Sequence, residues 1–534
     1  MRKAFQFMLV CLLPLVGISQ NDSEQNFDIK IGKPYRVIDS PFKEYLEYED
    51  VMLSFKLVKN ELIVQKFNTK TLVQESIKTY SDFPDKFVIE NIAILKNKCY
   101  LFFSLWDKVD ENEQLFFREL DIDKGTFVEK GKLLFKVNGK VTGQMAGNGK
   151  LYGIQIVDKF KFEESFDDSH LMIKYRKKPG NRNDDKSYDK IGFHVYDFNL
   201  NELWNKEVKM PYHESQMDNL DYYVNEMGDC FILTTVFKDH SGIMKLEKGV
   251  ANYHIELLKI EAGSDQITKT PIQLKSSLIN SISLFQGKDN ELVMGGYYSD
   301  KDIENVDGIF SFSVDDKGVI ANKFMYEFPV DFLNENASNK EVRKNERKDR
   351  NDNAEMSFLS MKKIVAGDDG SVTLIGEKAF TKTSQNGKMV TTIYFFLDII
   401  VSKIDSAGNL VWNKKLAKRQ VGRDGVKDMS FEHFIHNNNH YFLFMDNIHN
   451  KNLSKFEPPK AHSSTVGGWL TAYVINSETG AVSKTYFLDS REVNGIQIAQ
   501  FGTDRIIKTD EGDFVFEVYK KSKQDVLIKV DLEE

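Results

Sequence analysis

The chain has 534 residues, of which 72 are lysine or arginine and 80 are aspartate or glutamate, giving a formal net charge of −8 at pH 7. This mild acidity argues against a nucleic-acid partner, because nucleic-acid-binding proteins usually carry a basic surface. Aromatic residues make up 12% of the chain and only 10 residues are prolines, a composition typical of a β-rich globular protein and not of a disordered one.

The first 19 residues have the three parts of a secretory signal peptide. Residues 2–3 are basic, residues 5–16 are apolar, and residues 17–19 form a small-x-small cleavage site. The apolar run is too short to span about 30 Å of hydrocarbon, and Pro14 interrupts it, which argues against an uncleaved anchor. No later segment is apolar over the length of a spanning helix. We therefore predict export to the periplasm, the cell surface or the extracellular space.

Residues 20–34 are predicted to be an N-terminal extension, and from residue 35 to residue 534 a turn motif recurs eight times. In its clearest copies an apolar run enters a turn rich in Asp, Asn or Gly and a second apolar run follows, as in VSKIDSAGNLVWNKKL, FSVDDKGVIANKF and YVINSETGAVSKTYF. A second, tighter polar turn precedes a strong apolar strand, as in LKNKCYLFFSLW and NEMGDCFILTTVF. Asn, Gly and Asp supply the left-handed backbone conformations that such hairpins need.

Each unit is therefore predicted to contain four strands, a to d in chain order. The tight turn joins b to c, and the Asp-rich turn joins d to the next a. Such units repeated without linkers predict an all-β fold, a β-propeller of four-stranded antiparallel blades. A string of β-sandwich domains would show linkers about 100 residues apart, and none is visible. Counting d strands gives eight blades; seven result if the first unit, Tyr35 to Phe67, is shared with the C-terminal strands as a closing blade.

Three polar segments interrupt the repeat and are predicted to be insertions. Residues 159–189 and 447–468 are placed in c–d connections of the third and seventh units, and residues 331–355 in the a–b connection of the sixth. The mixed charges of KEVRKNERKDR in the last segment predict a solvated loop or a short helix. Because a–b and c–d connections of a propeller share one face, all three insertions should lie on that face. Long loops on one rim are where binding usually occurs.

No set of residues completes a metal-binding or catalytic motif. The histidines from His433 to His449 fall on a strand and a hairpin, where they point to different faces, so no metal site is predicted. The turn with Asp121, Asp123 and Gly125 lacks the other ligands of a calcium loop and is predicted to be an Asx-turn. The sequence therefore predicts no catalytic residue and no cofactor.

Cysteine and tryptophan positions are predicted from the repeat. Cys99 and Cys230 begin equivalent strands two units apart, too far for a disulfide bond, so none is predicted. Trp204 and Trp412 occupy matching places in LWNKEV and VWNKKL, which predicts packing between blades. Trp469 leaves the insertion 447–468 and is placed at the exposed rim.

The segment KIDSAGNLVWNKKL, together with its weaker repeats, resembles the turn motif of exported bacterial β-propeller repeat proteins, many of which are uncharacterised. The resemblance covers most of the chain after the signal peptide. It implies a propeller fold and an exported protein, and it implies no reaction and no functional residue.

These observations predict a non-catalytic binding or scaffold module for a protein or polysaccharide ligand, held on the insertion-bearing face. The candidate contacts are Tyr175, Arg176, His462 and Trp469. The alternative is a carbohydrate-active enzyme, a glycoside hydrolase or lyase, with paired carboxylates near the propeller axis. Among 80 acidic residues the sequence does not select such a pair, and it leaves the oligomeric state open.

Overall fold

The computed structural model describes residues 27–532 except 147–154, 180–186, 240, 248–249, 273–276, 287–291, 303, 316–318, 352–353, 368, 387–388, 424–428, 454–456, 464–466, 494, 501, 510–511 and 521. The predicted signal peptide, 1–19, lies outside the described residues. Within them, no helix has the length and apolar character needed to cross a membrane.

Eight antiparallel sheets follow one another along the chain and form a β-propeller, in which the first strands of neighbouring blades lie side by side around the axis. The strands of blades 1 to 4, in order, are Phe42–Tyr48, Val51–Val58, Glu61–Asn68 and Val73–Tyr80; Val88–Leu95, Lys98–Asp107, Asn112–Asp121 and Thr126–Phe127, with Lys132–Asn138 added; Phe160–Glu164, His170–Arg176, Tyr188–Asp197 and Glu202–His213; and Met217–Val224, Cys230–Phe237, Tyr253–Ile260 and Thr268–Ile272.

The strands of blades 5 to 8, in order, are Leu278–Gln286, Leu292–Ser299, Gly308–Val314 and Ile320–Glu327; Leu359–Ala366, Val372–Asn386, Met389–Ile404 and Leu410–Leu416, with Gln420–Gly422 added; Glu432–His436, Asn439–Asp446, Trp469–Asn476 and Val482–Asp489; and Ile498–Gln500 with Ile506–Lys508, Phe514–Lys520, Gln524–Leu532 and Phe27–Ile31. Outside the blades lie three two-stranded pairs, Gln144–Ala146 with Gln155–Val157, Leu246–Glu247 with Val250–Ala251, and Asn305–Val306 with Met356–Ser357, and the helices Val330–Asn334 and Asn339–Asp349.

The core of the described structure is divided into eight apolar clusters, one at each contact between neighbouring blades. Phe55 of blade 1, for example, packs in one cluster with Leu101 and Phe103 of blade 2. A single blade therefore buries its two faces only against its neighbours. The hydrophobic effect stabilises the closed ring and not the separate sheets.

The two repeated turns lie on one face of the ring. The tight turn joins the first and second strands of a blade and the Asp-rich turn joins the third and fourth, so each predicted strand letter is displaced by one position. In the Asp-rich turns Asp405 Oδ1 accepts the N–H of Asn409 at 2.7 Å, and Asp121 Oδ1 accepts the N–H of Lys124 at 3.0 Å. These turns are therefore Asx-turns, as predicted.

The opposite face carries the long connections. In an antiparallel blade, the second-to-third connection and the connection to the next blade leave the sheet on the side away from the repeated turns. Residues 447–468 join the second and third strands of blade 7, and residues 331–355 join blade 5 to blade 6, partly as the helix Asn339–Asp349. Both segments therefore lie on this face, which we call the insertion face.

The prediction of a single insertion over 159–189 is wrong for most of its length. Residues Phe160–Glu164 and His170–Arg176 are the first and second strands of blade 3, and only the connection after Arg176 is an insertion. The segment looks polar because charged residues alternate with apolar ones in KFKFEE and near the end of HLMIKYR.

Tryptophan and cysteine positions follow the repeat. Trp204 Nε1 donates to the Gly228 carbonyl of blade 4 at 3.0 Å, and Trp412 Nε1 donates to the Ser477 carbonyl of blade 7 at 3.1 Å. Both matching tryptophans thus join their own blade to the next one, as predicted. Cys99 and Cys230 are buried, unbonded thiols in blades 2 and 4.

The ring is closed by the N-terminal part of the chain. Phe27–Ile31 pairs with the third strand of blade 8, Gln524–Leu532, and is the fourth strand of that blade. Tyr35 follows and pairs with Asp525. The prediction of an N-terminal extension over 20–34 is therefore wrong for residues 27–31, and the first unit forms a complete blade of its own, which makes the number of blades eight.

A buried charge cluster lies where blade 8 meets blade 1, next to the closing strand. At its centre is Glu517, whose side chain has no solvent exposure. The donors to its carboxylate are Lys56 Nζ, Tyr45 Oη and Tyr35 Oη, each at 2.6 Å, and Lys43 Nζ at 3.4 Å. Burial opposes the ionised form, but the charges of Lys56 and Lys43 lower the pKa of Glu517 to about 2. Glu517 is thus held as a carboxylate.

Asp525 lies in the same cluster, but its carboxylate has fewer stabilising contacts than that of Glu517. Its side chain is fully buried, and neither of its oxygens forms a hydrogen bond to the residues that the structure describes. Lys56 Nζ is 3.9 Å away. Burial and the neighbouring charge of Glu517 raise the pKa of Asp525 to about 6. The ionised form of this carboxyl therefore destabilises the folded state above that pH.

We expect Asp525→Asn to stabilise the protein at pH 8 by about 1–3 kcal/mol, because it removes a buried charge without hydrogen bonds. Since the pKa of Asp525 is raised in the folded state, the native protein gains stability as the pH falls through 6 towards 3.8. The advantage of the variant should therefore shrink over that range. Urea unfolding at pH 8 and pH 4 measures the free energy of unfolding of the variant and of the native protein. If the variant were more stable by the same amount at both pH values, the raised pKa of Asp525 would be contradicted.

Candidate functional site

The insertion face contains a partly open cavity of about 270 Å³ at the axial edge of blade 3. The second strand of this blade continues beyond the first, and a preceding segment pairs with the continuation. Thr142 N donates to the Arg176 carbonyl at 2.8 Å, and Lys178 N donates to the Lys140 carbonyl at 2.8 Å. The cavity is lined by this segment, by the start of the first strand and by Tyr222 of blade 4. It therefore belongs to two blades and to the connection that enters blade 3.

Four cationic side chains line the cavity, Lys159, Lys161, Lys174 and Arg176, together with one acid, Asp158. Three of these cations already have carboxylate partners. Lys159 Nζ lies 2.6 Å from Glu113, Lys161 Nζ lies 3.9 Å from Asp158, and the Arg176 guanidinium lies 2.7 Å from Asp189. Lys159 and Arg176 are therefore closely paired with acids of the protein, whereas the pair of Lys161 is longer and more exposed.

Lys174 is the exception among the four. It forms no ion pair within the described part of the chain, and its ammonium lies over the Tyr222 ring, 3.2 Å from the ring centroid. A cation–π contact stabilises an ammonium less than a hydrogen-bonded carboxylate does. Burial lowers the pKa of Lys174 to about 8, although Glu163 and Asp221 raise it from a greater distance. The protein thus leaves this cation incompletely compensated.

The shape of the cavity depends on a glycine opposite Tyr175. Tyr175 is buried and lies across the blade from Gly192, and a Cβ atom at Gly192 would lie 2.1 Å from Tyr175 Cζ. Any larger residue at this position would displace the tyrosine ring. Burial raises the pKa of Tyr175 to about 12, so its hydroxyl stays neutral.

The structure brings together two of the four predicted contact residues and separates the other two from them. Tyr175 and Arg176 line the cavity in blade 3. His462 and Trp469 lie in blade 7 and its second-to-third connection. The four residues therefore do not form one site.

The two residues of blade 7 differ in accessibility. His462 is 3% exposed, its backbone pairs with Arg419 and Val421, and burial lowers its pKa to about 4. It is a neutral packed residue, and its predicted contact with a ligand stays a prediction. Trp469 is half-buried, with Lys451 Nζ 4.6 Å from the centre of its ring system. It remains a surface residue of the insertion face.

Acidic side chains of the first strands lie beside the cavity. Glu163 belongs to blade 3 and Asp221 to blade 4, and burial raises the pKa of both carboxyl groups, that of Glu163 to about 7. Asp221 Oδ2 accepts the N–H of Leu284 at 2.9 Å, which fixes it against blade 5. No group of three or more His, Cys, Asp or Glu side chains among the described residues is arranged to hold a metal ion.

The sequence did not predict the lysines of this cavity. KFKFEE and MIKYRKK place Lys161 and Lys174 at alternating positions of two strands, and that alternation was the available signal. It was missed because the whole segment was assigned to an insertion, where alternation has no consequence for side-chain direction.

Comparison with known proteins gives distant structural similarities and no sequence match. No protein-family model matches the chain, and neither does any curated protein sequence. Among solved structures, the chain is similar to an uncharacterised protein from Listeria monocytogenes EGD-e, with 11% identity, a TM-score of 0.36, and coverage of 91% of this chain and 97% of that one.

Two further solved structures are proteases. A prolyl endopeptidase is 10% identical, with a TM-score of 0.38, and the match covers 92% of this chain and 55% of that one. The β-propeller domain of the Trilobed protease from Pyrococcus furiosus is 10% identical, with a TM-score of 0.32 and coverage of 76% and 90% respectively.

Proposed function

We propose that the protein is an exported, non-catalytic binding module that holds a protein or polysaccharide ligand on its insertion face. The proposed export rests on the signal-peptide pattern of residues 1–19. The observation that carries the binding proposal is the cavity at blade 3, because it is concave, lies among the long connections, and places several charged side chains beside carbon surface. Concave sites that combine apolar surface with orienting polar groups are where ligands usually bind.

The arrangement of charges favours binding over catalysis. Two of the four lysine and arginine side chains in the cavity, Lys159 and Arg176, are held by carboxylates at 2.6 and 2.7 Å, so they present hydrogen-bond donors in defined directions. Preorganised side chains lose little entropy when a ligand binds.

A carbohydrate-active enzyme is the second candidate, and Glu163 favours it. A carboxyl group with a pKa of about 7 can donate a proton near neutral pH, as the general acid of a glycoside hydrolase does. Asp221 on the next blade would then be the second carboxylate of the pair.

A panel of immobilised extracellular polysaccharides and proteins, assayed for binding and for polysaccharide cleavage together, tests the two functions. We expect retention of at least one polymer class, with no new reducing ends and no unsaturated sugars. Cleavage that is abolished in Glu163→Gln would support the enzyme instead. Absence of both retention and cleavage across the panel would contradict both proposals.

A further inference from the structure

The lining of the cavity defines one anionic subsite. Lys174 is the only one of the four lining cations without a carboxylate partner within the described part of the chain, and it is half-buried against Tyr222. A desolvated ammonium is stabilised strongly by an anion that enters its site, because Coulomb attraction is larger where water is excluded. The cavity therefore favours a ligand that carries a negative charge to this point.

The volume limits what that ligand can be. At roughly 30 Å³ per water molecule, 270 Å³ corresponds to about nine waters. An acidic sugar has about a dozen non-hydrogen atoms, which pack more closely than liquid water does. The carboxylate side chain of an acidic peptide has only about four or five heavy atoms beyond its backbone, and it would leave much of the cavity empty.

The walls have the composition that a sugar ring requires. Tyr175, Ile191 and Tyr222 supply carbon surface, whereas Lys159 and Arg176 supply N–H donors that are held in place by carboxylates, and Lys161 adds a more exposed ammonium. Among the residues that the structure describes, the cavity is partly open, as binding of one unit of a longer polymer requires. A protein ligand would not need such a mixture of fixed donors around one small cavity.

We infer that this cavity binds one acidic sugar unit of a polysaccharide, with the carboxylate of that unit against the Lys174 ammonium. The inference rests on the proposed binding function and adds the ligand class and the residue that recognises it. Lys161 and Glu163 of the first strand, Asp221 of blade 4 and the ring of Tyr222 are the neighbours that set the charge around Lys174.

Recognition of a carboxylate by Lys174 has a definite pH dependence. Burial lowers the pKa of Lys174 to about 8, so the ammonium is charged at pH 6.5 and mostly neutral at pH 9.5. A uronate carboxylate is ionised over this whole range. Affinity should therefore fall as the pH rises through 8. Protonation of Glu163 below a pKa of about 7 removes a nearby negative charge and strengthens binding further.

The test uses polygalacturonate, alginate and hyaluronate, each beside its carboxyl-esterified form, with dextran as the neutral polymer and polyglutamate as the acidic peptide. Isothermal titration calorimetry on the folded protein at pH 6.5 and pH 9.5 gives the affinities. We expect at least one uronate polymer to bind about 10- to 100-fold more tightly than its ester at pH 6.5. At pH 9.5 that preference should largely disappear.

Three variants assign the effect to Lys174. Lys174→Met should abolish the preference for the free acid, and Lys174→Arg should retain it at pH 9.5 because arginine stays charged. The matched control is Lys209→Met, because Lys209 lies 4.0 Å over the Tyr188 ring of the same blade and outside the cavity. The control should bind like the native protein. Circular dichroism confirms that each variant is folded before the titration.

The outcomes separate this inference from the proposed function. Equal binding of free acid and ester, or an unchanged preference in Lys174→Met, overturns the acidic-sugar assignment while the binding module stands. Binding of dextran but of no uronate polymer also overturns the acidic-sugar assignment and leaves the binding module standing. If polyglutamate binds and no uronate polymer does, the assignment of the ligand as an acidic sugar is overturned and a protein ligand is favoured. Binding of no polymer and of no protein in the earlier panel rejects the proposed function itself.

Discussion

Lys56→Met should lower the free energy of unfolding by about 3–5 kcal/mol, the cost of removing one partner from a buried ion pair. Both side chains of the pair, Lys56 and Glu517, have no solvent exposure, and their polar atoms are 2.6 Å apart. In the variant Glu517 keeps the hydroxyl donors of Tyr35 and Tyr45 but loses its closest cation. Its remaining charge is then poorly compensated at the point where the ring closes.

The loss should depend on pH in a defined direction. In the native protein the pKa of Glu517 is lowered to about 2, against an ordinary value of 4.5. Its contribution to stability is therefore complete above 4.5 and is lost as the pH falls towards 2. Without Lys56, burial raises the pKa of Glu517, and protonation then relieves the variant. The difference in free energy of unfolding between the native protein and Lys56→Met should therefore become smaller as the pH falls from 7.5 to 4.5.

Urea unfolding of two further variants separates buried from exposed charge. The pair of Lys30 and Asp531 lies in the same blade with Lys30 52% exposed, so Lys30→Met should cost less than about 1 kcal/mol. The double variant Lys56→Met/Glu517→Leu removes both charges of this ion pair and should recover much of the loss, because apolar pairs often replace buried ion pairs without cost. Equal losses for the exposed and the buried lysine would show that the cluster does not stabilise the closure.

The turn chemistry of the chain was sufficient to predict the fold class. Asp405 and Asn476 act through local hydrogen bonds to the amides that follow them, so their effect is visible in a few consecutive letters. The same locality explains the displaced strand letters. A turn motif shows where strands are joined, whereas the boundary of a blade is set by which strand lies nearest the axis, and that is a tertiary property.

The sequence indicates some residues of the cavity, such as Tyr175 and Arg176, but not which side chains of different blades meet there or in the buried charge cluster. Lys174 and Tyr222 are 48 positions apart in sequence and meet only because blades 3 and 4 pack together. Lys56 and Glu517 are separated by 461 positions and meet only when the ring closes. The residue type alone does not show whether a lysine is buried or solvated, because burial depends on the residues that pack around it in the folded protein.

The closing strand, Phe27–Ile31, which pairs with Gln524–Leu532, has a recognisable residue pattern. FDIKI alternates apolar and polar residues, as an edge strand with one buried face does. Phe27 stacks on Phe487 of blade 7 with ring centroids 4.7 Å apart, so the strand also contacts the neighbouring blade.

The second large effect is expected from that strand. Ile29 and Ile31 pack against the apolar cluster between blades 7 and 8. Replacing both with serine should lower the free energy of unfolding by about 2–4 kcal/mol, because half-buried isoleucines lose their burial and the serines gain no partner. Detachment of Phe27–Ile31 would uncover the hydrogen-bonding edge of Gln524–Leu532. An uncovered edge pairs with other chains, so the variant should also self-associate.

The matched control changes the other face of the same strand. Asp28→Ser/Lys30→Ser has the same backbone preference but leaves both isoleucines in place, so it should unfold within about 1 kcal/mol of the native protein and stay in its native association state. Urea unfolding and sedimentation velocity compare the two serine pairs at equal concentration. If the closing strand acts only as a backbone edge cover, both pairs would behave alike. A selective loss in Ile29→Ser/Ile31→Ser would instead show that ring closure depends on apolar contact with blade 7, and that the strand fastens two blades at once.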